Sequence, residues 1–211
     1  MAAHAWRIFD RASQDGSILL HGDDICVYYM DKTPGPPSAS KANQLIYNLK
    51  LDPMLMTGSQ RKYNFKEKAI ASFAEDLAGY LSRWPSVGPD NAIMVPVPPS
   101  KPGSDPRYDD RIVKVCEIVT RKTGIRHCEC LQTIADLGSL HSDAMPRDVD
   151  AIRRNTYFDP SMIPPGISCI LLVDDQLTKG THFKAFQPLF MDRGYIVVGM
   201  FWAKEHSYGH A

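Results

Sequence analysis

The chain has 211 residues, 44% of them hydrophobic, and its 24 basic and 24 acidic side chains cancel to a formal charge of zero. That length suits one α/β core with appendages better than two independent domains. A neutral balance without a long basic run argues against nucleic acid as a direct ligand and against an anionic membrane surface. Residues Met1 to Asp10 lack the basic start and apolar core of a signal peptide, and no apolar stretch is long enough to span a bilayer, so the expectation is a cytoplasmic protein.

In chain order, Ile18–Leu20 and Ile25–Met30 flank His21-Gly22-Asp23-Asp24 and read as a hairpin. Pro34, Gly35, Pro36 and Pro37 break regular structure, and a helix from about Ala39 to Leu49 follows, with Leu45, Ile46 and Leu49 along one stripe. Asn64, with Glu67 beyond it, reads as the N-cap of a helix whose Ile70, Phe73, Ala74, Leu77 and Leu81 recur at helical spacing up to Pro85. Ile93–Val97 is a strand that ends in the proline-rich loop Pro98–Pro106. Asp105-Pro106 then reads as a helix start, Ile112, Cys116 and Val119 as the buried face, and Gly124 as the stop. A second strand covers Arg126–Ile134.

Residues Ala135–Asp150 are polar, without a strand period, and read as a mobile loop with a helical turn after Pro146. A short strand at Thr156–Phe158 precedes the apolar strand Cys169–Val173, a helix from Thr181 to Asp192 ended by Gly194, and a strand Tyr195–Trp202. Alternation of strand and helix from Ala92 onward predicts a Rossmann-like α/β fold, a mostly parallel sheet with helices on both faces. Residues 91–211 form that core in this reading, and residues 1–90 a small hairpin and helix appendage packed on it. The five cysteines, Cys26, Cys116, Cys128, Cys130 and Cys169, have no framework spacing and read as buried, reduced side chains.

Ligands of open parallel sheets bind at the C-terminal strand ends, near a switch in strand order. Two loops leave strand ends with unusual chemistry, Pro98–Pro106 and Asp174–Thr181. In the second, an apolar strand runs into two carboxylates and then a Thr/Gly turn that opens a helix. Carboxylate oxygens accept from vicinal hydroxyls, and free N–H groups at a helix start bind phosphate, so the stretch points to a ribose 5-phosphate group. The acidic pair of receiver domains is set aside, because their phosphoacceptor lies on a later strand and little chain follows Asp175. Neither a P-loop nor Gly-x-Gly-x-x-Gly follows any strand. Plain capping of the helix by Thr178 or the acids stays open as the structural alternative.

Leu171-Leu172-Val173-Asp174-Asp175 followed by Thr178 and Gly180-Thr181 resembles the phosphoribosyl diphosphate (PRPP) fingerprint of type I phosphoribosyltransferases. Val95-Pro96-Val97-Pro98 with Arg107, and Leu45-Ile46-Tyr47-Asn48-Leu49-Lys50, are similar to the ComF-like branch, here without its N-terminal four-cysteine zinc module. Gln176, Lys179 and His182 stand where the fingerprint has an apolar residue, Thr and Thr. The resemblance implies that Asp174 and Asp175 are the catalytic pair on the ribose hydroxyls, and that Thr178, Lys179, Gly180, Thr181 and His182 hold the 5-phosphate. It gives Lys101 and Arg107 to the diphosphate and adds Mg²⁺ held mainly by ligand and water, with no dedicated protein cage. The loop Ala135–Asp150 would close over the reaction, with Arg147, Arg153 and Arg154 within reach.

The activity implied is transfer of phosphoribose to a nitrogen nucleophile with diphosphate release. Two other readings stay open: a non-catalytic sensor of PRPP or nucleotides, and an accessory protein of DNA uptake or defence acting with a protein partner or as a homodimer. For the acceptor, Phe201 and Trp202, or Tyr28, Tyr29 and Tyr47, are aromatics able to stack on a base, although such spacings also suit a core.

Overall fold

The computed structural model describes residues 5–9, 19–56, 58–135 and 148–205. Its first half holds β1 (Arg7–Ile8), β2 (Ile25–Lys32), α1 (Lys41–Leu49), α2 (Pro53–Met56), α3 (Gln60–Leu81) and β3 (Ala92–Pro96). After these come α4 (Arg111–Thr123), β4 (Leu131–Thr133), α5 (Val149–Arg154), β5 (Thr156–Phe158), β6 (Cys169–Leu177), α6 (Thr181–Met191) and β7 (Ile196–Glu205).

Strand pleating sorts the apolar residues into two cores. Leu171 and Val173 of β6, with Ala92 and Met94 of β3, face α1, α3 and α4; Ile170, Leu172, Ile93 and Val95 face α5 and α6. Near-continuous apolar runs are what a sheet covered on both faces requires. The sheet order is β1-β2-β7-β6-β3, with β2, β7, β6 and β3 parallel and β1 antiparallel to β2. On its other edge β3 meets the segment after α4 through a bridge between Met94 and His127. The chain thus leaves β3 to one side and returns as β6 on the other, which opens a crevice over the strand ends.

Among the described residues the expected N-terminal hairpin does not form, and Ile18 lies outside them. Leu19 and Leu20 lie outside any strand, and the Leu19 N–H donates to the Lys179 carbonyl at 2.9 Å. β2 pairs in parallel with β7 from Ile25 to Lys32, so the N-terminal segment is built into the main sheet and not appended to it. The cause is its composition: Cys26 packs into one core and Val27 and Met30 into the other, which only a strand covered on both faces achieves.

Other boundaries also move. α3 begins at Gln60, and Asn64 lies inside it, its side chain accepting from Gln60 Nε2 at 2.9 Å as an i,i+4 pair. α4 begins at Arg111 and not after Pro106, because the Asp105 carboxylate takes the Arg107 N–H at 2.8 Å and holds a turn there. Gly124 ends α4 in the left-handed region at φ 77°, as expected. The strand expected over Arg126–Ile134 shrinks to the His127 bridge and β4, which pairs with β5 in a separate two-stranded sheet. All five cysteines are free and buried. Among the described residues no helix is long and apolar enough to cross a membrane.

Pro188 lies inside α6 and has no N–H for the Lys184 carbonyl one turn back. Arg153 of α5 fills that gap: its guanidinium donates to the Lys184 carbonyl at 3.3 Å and the Ala185 carbonyl at 3.2 Å. Arg153→Ala should therefore destabilise the fold by about 1 kcal/mol, the low end of the cost of an unpaired acceptor, because the contact is only partly buried. Pro188→Ala in the same chain, which returns an N–H to that carbonyl, should recover much of the loss. Urea denaturation of the four proteins of this cycle measures the coupling, and strictly additive losses would contradict the pairing.

Candidate functional site

A cleft of about 490 Å³ opens at the C-terminal ends of β3 and β6, where the strand order switches. Asp174, Asp175, Thr178, Gly180, Thr181 and His182 line one part of it, and Lys101 and Arg107 of the loop after β3 line another. Of the residues expected on the ribose, the 5-phosphate and the diphosphate, Lys179 is the exception. Its side chain is exposed outside the lining, and its carbonyl accepts from Leu19.

The acidic pair lies within β6 and not after it. Pairing with β7 continues from Asp174 opposite Phe201 to Leu177 opposite Lys204, so the carboxylates ride on a rigid strand. Pleating sends the two to opposite faces of the sheet. Asp174 faces α6, where its Oδ2 lies 3.0 Å from His182 Nδ1 while its Oδ1 accepts the Asp175 N–H at 2.8 Å. Asp175 faces α1 and α4: Lys50 Nζ lies 2.9 Å from its Oδ1, and Arg111 donates to its Oδ2 from Nε at 3.0 Å and from a terminal nitrogen at 2.6 Å.

That contact continues inward as a ladder of alternating charge. Arg111 donates to Asp109 at 2.7 Å, Asp109 meets Lys66 Nζ at 2.8 Å, and Lys66 donates to the Leu51 carbonyl at 2.7 Å. Burial alone would raise the Asp175 pKa, since the residue is 3% exposed, but the Lys50 and Arg111 charges outweigh it and hold the carboxyl well below the usual carboxylate range. For Lys66, 2% exposed, burial wins and lowers its pKa, with Asp109 opposing. Arg111 shows the reverse balance. Its burial favours the neutral form, but Asp175 and Asp109 prevail and push its pKa up.

Thr178 and Lys179 lead into α6 through Gly180, whose φ is 78° and where a Cβ would come within 2.9 Å of Leu20 Cδ2. Both the backbone conformation and the contact require glycine. Lys184 N–H to the Gly180 carbonyl, at 3.0 Å, is the first bond at this end of the helix, so the N–H groups of Thr181, His182 and Phe183 precede the intrahelical ladder. With the macrodipole, these groups favour an anion. Across the cleft, Arg107 forms a two-point pair with Asp105, at 3.0 and 2.7 Å, and lowers that carboxyl to about 2.

Lys50, Asp109 and Arg111 line the cleft although the sequence singled out none of them as site residues. A signal existed for their buried partner: Lys66 falls on the same helical stripe as Ile70, Phe73 and Leu77, where a lysine needs a partner. Several other candidates are engaged elsewhere. Arg153 is tied to α6, Arg154 pairs with Asp148 at 3.7 Å on the surface, and Arg147 and most of the polar segment, residues 136–147, lie outside the described residues. Trp202 stacks on Phe73 at 5.1 Å and donates to Asp76 at 2.9 Å, so it belongs to the core. Phe201 lines the cleft, and Tyr47 is exposed away from that lining.

The chain matches no protein-family model and no curated protein.

Proposed function

We propose that this protein binds PRPP through its ribose 5-phosphate group, together with Mg²⁺, and transfers the phosphoribosyl group to a nitrogen nucleophile with release of diphosphate. In this reading the α/β sheet is that of a type I phosphoribosyltransferase of the ComF-like kind. The observation that supports it is the meeting, in one cleft, of two strand-borne carboxylates, the Thr/Gly turn at the start of α6, and four cations, Lys50, Lys101, Arg107 and Arg111.

The division of labour follows from charge. Asp174 and Asp175 accept hydrogen bonds from the ribose hydroxyls, since each carboxylate keeps acceptor capacity beyond its present contacts. Thr178, Thr181 and the N–H groups opening α6 receive the 5-phosphate. Lys50 and Arg111 on one wall, with Lys101 and Arg107 on another, face the departing diphosphate and stabilise its charge. Among the described residues no group of three or more His, Cys, Asp or Glu forms a metal cage. The donor set suits an ion carried by the ligand's oxygens and water; Asp174, which no Lys or Arg holds in the way Lys50 and Arg111 hold Asp175, is the carboxylate that would accept such an ion. Such an ion, when bound, supplies neutralisation of the diphosphate.

One observation favours a second reading, a non-catalytic sensor of PRPP or nucleotides. Lys50 and Arg111 are engaged by Asp175, and Arg107 by Asp105, so the diphosphate wall is internally paired. An assay of diphosphate release from PRPP and Mg²⁺ over a panel of nitrogen acceptors separates the two. The transferase reading expects acceptor-dependent release. PRPP binding without release across the panel would overturn it in favour of the sensor.

A further inference from the structure

Gln176 stands where the fingerprint has an apolar residue, and neither the ribose, the 5-phosphate nor the diphosphate accounts for it. It follows the acidic pair on β6, is half-buried, and lines the cleft. Its Nε2 donates to Glu205 Oε2 at 2.5 Å, and its Oε1 accepts from Lys50 Nζ at 3.4 Å. A carboxylate only accepts and an ammonium only donates, so both neighbours demand the same orientation of the amide. Glu205, at the end of β7, is itself held by Lys32 of β2, whose Nζ donates to its Oε1 at 2.5 Å. The amide is thus oriented by a chain of charges that spans three parallel strands.

A glutamine amide has two acceptor sites and two hydrogens. Among the described residues Lys50 and Glu205 take one of each, which leaves one acceptor site and one N–H for a ligand. The chemistry such an amide recognises is an N–H donor beside an acceptor, the pattern on the edge of a nitrogen heterocycle. Ammonia and simple amines offer donors alone and match half of it. In the ribose 5-phosphate reading the phosphate lies at the start of α6, the side to which Asp174 points, while Asp175 points toward Lys50 on the opposite side. C1 of the sugar, at the end of the ring away from the phosphate, then lies toward Asp175, Lys50 and Gln176.

We infer that Gln176 is a specificity-determining residue for the nitrogen nucleophile, and that this nucleophile is a heterocyclic base whose donor and acceptor edge pairs with the Gln176 amide. This rests on the phosphoribosyl-transfer reading of the cleft and names the substrate class within it. In the transfer the ring nitrogen's lone pair forms the N–C1 bond as the C1–O bond breaks. Diphosphate leaves with that electron pair, and the surplus proton on nitrogen goes to solvent. Gln176 exchanges no proton; it holds the base in register.

Calorimetric titration of ribose 5-phosphate and of the 5′-monophosphates of adenosine, guanosine and uridine into the wild type, Gln176→Met and Glu205→Gln separates base recognition from sugar recognition. Gln176→Met keeps the length of the side chain and leaves Lys50 on Asp175. Ribose 5-phosphate should therefore bind all three proteins within about twofold, as independent sites do. At least one mononucleotide should bind the wild type more tightly than ribose 5-phosphate, and this surplus should shrink by roughly tenfold in Gln176→Met, the loss of one or two neutral hydrogen bonds. Glu205→Gln, whose amide no longer dictates the orientation of Gln176, should lose part of the surplus and discriminate less among the bases. A surplus equal in the wild type and Gln176→Met, no surplus for any of the three bases, or an equal loss of ribose 5-phosphate affinity in a folded Gln176→Met would each overturn the inference and leave a sugar phosphate site standing. Failure of ribose 5-phosphate to bind the wild type would remove the underlying reading as well.

Discussion

Replacing Arg111 by methionine should destabilise the protein by roughly 3–5 kcal/mol, the usual cost of removing one partner from a buried ionic network. Arg111 bridges Asp175 and Asp109, both buried, and the substitution leaves Asp175 with Lys50 and Asp109 with Lys66 as their remaining cations. Asp175→Asn in the same chain, which removes one of the two carboxylates left with a single cation, should recover part of the loss, so the double variant should be more stable than the sum of the singles. The pH dependence has a definite sign. Cationic neighbours hold Asp175 below its unfolded value, so its contribution is present above about pH 3.9 and is lost as pH falls below that value toward the folded pKa. Arg111→Met should flatten that acid limb while lowering stability at pH 7, and urea denaturation across pH measures both effects. An unchanged acid limb would show that the ladder does not set the ionisation of Asp175.

Such a ladder is a costly way to stabilise a core, since well-packed apolar residues often do as well. Its placement suggests another use. Two of its cations, Lys50 and Arg111, end in the cleft beside the acidic pair, and the inner rungs, Asp109 and Lys66, hold Arg111 in position. Asp175 on β6, Lys50 just after α1 and Arg111 on α4 are thus held in place before any ligand arrives, as the proposed electrostatic role would require.

Elements with strong local signals were legible in the sequence. The buried stripe of α3, the apolar strands β3 and β6, and the Gly124 stop of α4 all lie where periodicity and turn chemistry put them. Partners were not legible. β2 pairs with β7 across most of the chain, and nothing local to Ile25–Met30 names that neighbour, so proximity favoured a hairpin. The strand signal in β6 stopped at Val173 because acids are poor strand formers, yet the ladder with β7 carries the backbone through Asp174 and Asp175 to Leu177. For the site, the acids and the Thr/Gly turn were visible because they are contiguous. Lys50, Asp109 and Arg111 were missed because their roles arise from contacts across the fold: Lys50 meets Asp175 from just beyond the end of α1 and Arg111 meets it from α4, and Arg111 lay in a segment read as helix interior.

Neutralising the acidic pair should have the second large effect, on ligand binding. A hydrogen bond to a charged acceptor contributes about 1.5–3 kcal/mol, so under the proposed function two carboxylates on the ribose hydroxyls would account for roughly 10² to 10⁴ in Kd. Asp174→Asn alone separates this from stability, because it leaves Lys50, Asp175 and Arg111 as they are. It should lose about half of that binding energy with little change in the urea midpoint.

The most direct measurement is calorimetric titration of PRPP, with Mg²⁺, into the wild type, Asp174→Asn, and Asp174→Asn with Asp175→Asn, each checked for folding. Saturable binding by the wild type that weakens stepwise and vanishes in the double variant is the predicted result. No binding by the wild type, or equal affinity in a folded double variant, would contradict a ribose 5-phosphate site at Asp174–Thr181.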